Sequence, residues 1–117
     1  MHEGRAAALQ PIVARDITAR DSLVADAAAL DQTAKDDRSQ ATDLRAKAAS
    51  VADPKTRAEI LNRATAHETF ARQSDDSARI HRELTLRLDT NIKLLQSAIA
   101  SHLAEAAKLK TWLANNS

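Results

Sequence analysis

Apolar positions recur along this chain at alternating steps of three and four, and the pattern closes every seven residues. In the first half one row reads Val13, Arg20, Ala27, Ala34, Ala41 and Ala48, beside Leu9, Asp16, Leu23, Leu30, Asp37, Leu44 and Val51. In the second half the rows are Ala64, Ala71, Ala78, Thr85, Ile92, Ile99, Ala106 and Leu113, beside Ile60, His67, Ser74, His81, Leu88, Leu95, His102 and Leu109. A seven-residue period kept over six or more heptads predicts helices that supercoil left-handedly about a partner. Beta-branched residues are scattered along the chain and never alternate, so no strand is expected.

Asp53-Pro54 interrupts the pattern near its middle. An aspartate can cap the start of a helix by accepting hydrogen bonds from its unpaired N–H groups. Proline suits the first helical position, where its missing N–H does no harm, and it disfavours helical geometry for the residue before it. The expected organisation is a single helical domain over 1–117, with a first helix at about 4–52, a turn at 52–54 and a second helix at about 54–114. Pro11 admits a variant in which the first helix opens at about Gln10. Arms joined by so short a turn run antiparallel, so the expected fold is all-α, a long helical hairpin. Breaks at Asp36-Asp37 and Asp75-Asp76 would give four shorter helices instead, but the heptad passes both clusters without a change of phase, which favours two long ones.

Composition agrees with this. One glycine, one phenylalanine, one tryptophan and no tyrosine leave no basis for a sheet or an aromatic globular core. Seventeen basic residues balance sixteen acidic ones, so bulk charge gives no reason to seek nucleic acid or a membrane surface. Without cysteine there are no disulfides or thiolates. No apolar run approaches the ~18 residues of a membrane span, and a cytoplasmic protein is expected.

Large apolar residues are unevenly spread. Eleven fall between Leu84 and Leu113 and seven between Leu9 and Leu30, whereas Asp31 to Arg82 holds only six. A hairpin sets the two rich segments side by side at its open end, with more apolar surface than a two-helix seam covers. We therefore expect a homodimer that closes a four-helix bundle there. The expected oligomer interface is Ile17, Val24, Leu84, Leu88, Ile92, Leu95, Ile99 and Trp112.

Polar residues inside the seam are Asp16, Arg20, Asp37, His67, His81 and His102. Arg20 stands four residues after Asp16, so the two can pair along the helix, and its long stem can lie on apolar surface with the charge in water. The three histidines lie about 21 and 31 Å apart along one helix, too far to share an ion. Facing residues would have to complete any site, Asp37 for His67 and Asp26 for His81. Polar layers that fix register are the expected role, and no metal or cofactor is expected. Such layers would still titrate near neutral pH. A lone glycine also leaves no room for a phosphate-cradling loop or a nucleophile elbow, so catalysis is not expected. The sequence points to a non-catalytic protein-interaction module, an adaptor, chaperone or inhibitor working through a coiled-coil surface. The alternatives are a regulatory helical domain of a larger signalling or membrane protein, and a histidine-dependent metal- or pH-responsive bundle.

Overall fold

The computed structural model describes residues 2–116. The chain is all-α and forms a hairpin of two long packed helices, α1 (His2–Ala49) and α2 (Pro54–Asn115). Both acidic clusters lie inside uninterrupted helix, so the four-helix alternative does not occur. Nor does α1 begin at Gln10: it runs through Pro11 from His2. Proline inside a helix costs ~3 kcal/mol or more, because a hydrogen bond is lost and the ring crowds the preceding turn. Here its ring lies on an exposed face, while Ala6 and Val13 on either side are buried against α2. Tertiary packing across the proline holds together a helix that local propensity would interrupt.

The break falls slightly earlier than the sequence implies, at residues 50–53. The last turn of α1 tightens, with Ser50 N–H donating to the Lys47 carbonyl at 3.1 Å and Val51 N–H to Ala48 at 3.2 Å. No described residue takes a positive φ, so the turn needs no glycine. Asp53 caps α2: its Oδ2 accepts from Thr56 N–H at 3.0 Å and Thr56 Oγ1 at 2.6 Å. Arg57, one turn into α2, reaches back and donates from Nε and Nη2 to the Val51 carbonyl at 3.0 and 2.6 Å. The end of α1 is thus closed by backbone N–H groups of the turn, the start of α2 by the Asp53 side chain, and the Val51 carbonyl between them by Arg57.

Contacts group the chain into two units, Val24–Glu83 around the turn and Met1–Leu23 with Leu84–Ser117 at the open end. In the turn unit the buried rows are Ala27, Ala34, Ala41 and Ala48 of α1 against Ala64, Ala71 and Ala78 of α2, with Ile60 nearest the turn. Ala64, Ala71 and Ala78 are 0 % exposed. Alanine on both sides of a helix contact allows approach toward the short end of the ~8–10 Å range. In the open-end unit Ala6, Val13, Ile92 and Ala106 are buried. Nine of the twelve buried hydrophobic residues are alanine, and none of the thirteen leucines is among them. The seam is narrow and tight, and it buries few large side chains.

Two outcomes follow for the fold. Ala71→Leu, which forces extra side-chain carbon into a closed seam, should lower the free energy of unfolding in urea by roughly 1–3 kcal/mol. Ala46→Leu, on the exposed face, should leave it unchanged within about 0.5 kcal/mol. The Asp53 carboxyl is held below its ordinary titration range, first by the Thr56 hydroxyl and then by the Thr56 and Lys55 amides. A depressed folded-state value means that the cap's contribution is present above the ordinary carboxylate range and fades as pH falls below about 4. Asp53→Asn, which caps without ionising, should flatten the melting temperature over that acid window. Asp53→Ala should lower the melting temperature at neutral pH.

Candidate interaction surface

The seam has two rims, and in the turn unit one of them is a ladder of cross-helix ion pairs. Asp31 meets Arg82, Arg38 meets Asp75 and Arg45 meets Glu68. The rungs step by seven residues along each helix in opposite directions, as an antiparallel pair requires. Arg45 Nε also donates to Glu68 Oε1 at 2.7 Å. The Arg38 guanidinium is held above its ordinary range by its bond to Asp75. Within the seam, Asp37 Oδ1 lies 2.9 Å from His67 Nδ1, the partnership expected from the sequence. An ionised carboxylate only accepts, so His67 carries its proton on Nδ1. His81 donates from Nδ1 to the Ser77 carbonyl at 2.7 Å, beside a shallow groove lined by Asp26, Leu30 and Thr33.

Each residue of the two acidic clusters has a partner. Asp36 accepts from Gln32, Asp37 is bound to His67, Asp75 to Arg38, and Asp76 pairs with Arg79. Among the described residues no three histidine or carboxylate side chains converge as metal ligands would. The Arg20–Asp16 pair that the spacing allows does not form. Arg20 instead bridges the helices, donating from Nη1 to Asp89 at 3.1 Å and from Nε to its neighbour Asp21 at 3.2 Å. A long side chain in a seam row reaches the rim, where Arg20 is shared between the facing Asp89 and its neighbour Asp21.

In the open-end unit the charged rim thins out. Glu3 pairs with Lys110 at 2.5 Å, and His2 meets His102 with their Nδ1 atoms 3.0 Å apart. The Lys110 ammonium holds the Glu3 carboxyl below its ordinary range. Apolar side chains dominate the rest. Of the ten large hydrophobic residues left exposed, seven lie on α2 from Leu84 onward: Leu84, Leu86, Leu94, Leu103, Leu109, Trp112 and Leu113. Leu94 is 64 % exposed and Trp112 59 %.

The residues expected at an oligomer interface divide accordingly. Val24, Leu84 and Trp112 are exposed; Ile17, Leu88, Leu95 and Ile99 are half-covered in or beside the seam. Ile92 is 3 % exposed and belongs to the core of the hairpin itself. Leu86, Leu94, Leu103, Leu109 and Leu113 join the exposed surface without having been among the expected positions. Leu86, Leu94 and Leu103 stand off both seam rows, which is where α1 cannot reach them, whereas Leu109 and Leu113 belong to the rows and are exposed all the same.

A charge-swap series checks the ladder. Arg38→Asp opposes two carboxylates and should lower the melting temperature, whereas Arg38→Asp with Asp75→Arg should recover most of the loss. Equal melting temperatures for the single and double variants would remove the ladder as a register device. Comparison of the chain with protein-family models, curated proteins and solved structures finds no match, so its function is argued from its own residues.

Proposed function

We propose that the protein is a non-catalytic interaction module whose docking platform is the open-end half of α2. A second copy of the chain is its first partner. The observation that carries this reading is the distribution of apolar side chains around that segment. From Leu84 to Leu113 they occupy the two seam rows and also positions on both flanks and toward the back of the helix. A helix whose apolar side chains spread past the seam onto its flanks belongs among several neighbours, and α1 supplies one. A second hairpin brings two more helices at once, the arrangement of a four-helix bundle.

The turn unit complements this role. Its exposed surface is mostly polar, broken by Val24, Phe70 and Ile80, and its rim is tied into ion pairs, so it supplies a solvated helical surface for a protein partner such as an adaptor's client or an inhibitor's target. No described helix is long and apolar enough to cross a membrane. The cytoplasm is the proposed compartment.

Sedimentation velocity at tens of micromolar is the test. The wild type should sediment as a dimer. Leu94→Ser combined with Leu103→Ser should weaken association at least roughly tenfold, about 1.4 kcal/mol, with helical circular dichroism retained. A wild type that stays monomeric throughout that range overturns the dimer.

A further inference from the structure

His2 and His102 come from opposite ends of the chain, yet their Nδ1 atoms lie 3.0 Å apart. The ring centroids are 5.2 Å apart and the planes incline by 29°. That centroid separation is too long for face-to-face contact at van der Waals distance. It exceeds the nitrogen separation by close to twice the centre-to-nitrogen radius of an imidazole, so the rings meet edge to edge. This is the geometry of an N–H···N hydrogen bond: one Nδ1 donates and the other accepts.

We propose that His2 and His102 form a proton-limited clasp that ties the first turn of α1 to α2, holding with one shared Nδ1 proton and releasing when both rings are charged. The chemistry is set by proton count. With both rings neutral, complementary tautomers leave one donor and one acceptor between the helices. With one ring charged, the bond becomes charge-assisted and tightens. With both charged, each Nδ1 carries a hydrogen, no acceptor remains, and two cations face each other at contact distance. The charged groups nearest along the two helices are Glu3 and Arg5 on α1 and Glu105, Lys108 and Lys110 on α2. Glu3 is paired with Lys110 and Glu105 with Lys108, so each carboxylate already has a cation beside it. His67 responds differently, because its partner Asp37 accepts from the neutral and the charged ring alike.

The clasp lies in the same unit as the apolar platform, and its bearing on assembly rests on the dimer proposed above; the contact itself does not. The test is residue-resolved nitrogen and proton NMR of the four histidines through an acid titration of the full chain. His2 and His102 should titrate as a coupled pair in two steps, neither following a single-site curve. In His2→Asn, His102 should change to a single step while His67 is unmoved. Amide exchange at Arg5–Ala8 should speed up at least about tenfold beyond the second step in the wild type but not in His2→Asn. A His102 curve identical in the wild type and His2→Asn overturns the clasp. If coupled titration is seen in a protein that sediments as a monomer at every pH, the clasp stands and the dimer falls. A dimer without coupled titration keeps the assembly and overturns the clasp.

Discussion

Close approach of alanine to alanine is the constraint on which this protein depends. Methyl groups at every seventh position of both helices let two backbones pack with almost nothing between them, and the turn unit is built on that contact. The same choice limits what the seam can bury. Alanine contributes little apolar area, and the large aliphatic side chains stand at the margins or outside. Stability therefore draws on features a larger core would make optional: a capped turn, rim ion pairs and polar layers with satisfied partners.

The two units resolve this limit in different ways. Around the turn, the rim closes with Asp31–Arg82, Arg38–Asp75 and Arg45–Glu68, and the seam carries His67–Asp37 as a satisfied polar layer. Exposed pairs of this kind add little individually, but together they discriminate between alignments. A slip of one heptad leaves alanine facing alanine at most seam positions. It would bring Asp31 against Asp75 in one direction and Arg38 against Arg82 in the other. Alanine makes the contact and the charges choose its register. At the open end the rim keeps Arg20–Asp89 and Glu3–Lys110, but exposed leucine and tryptophan stand between them, and the surface is suited to another apolar surface.

Much of this was legible from residue types and spacing. Nearly every buried residue lies in a heptad row, though the second row of each helix is mostly half-covered and Leu109 and Leu113 stay exposed; Asp53-Pro54 marks the turn, and Asp37 is where the heptad places it for His67. What escaped the sequence had physical causes. Pro11 reads as a helix start, and only the burial of Ala6 and Val13 on either side shows why the helix continues past it. A helix opening at Gly4 leaves His2 outside it, although His2 continues the row of Leu9 and Asp16 one heptad earlier. Arg20 obeys the local i, i+4 rule on paper, but it is shared between Asp89 across the seam and its neighbour Asp21 rather than held by Asp16. Cross-helix partners cannot be read from one helix alone, because they require the offset that the turn sets.

The four-residue link between the helices has a further implication. Every seam and rim contact in the turn unit joins one helix to an antiparallel neighbour, and none requires that the neighbour belong to the same polypeptide. Were residues 50–53 to straighten into helix, two chains lying head to tail could exchange arms and rebuild those contacts between them. The Asp53 cap and the Arg57 bridge to Val51 are thus what keep each molecule folded upon itself, and weakening them would favour an intertwined form whose helices are indistinguishable by circular dichroism from those of the hairpin.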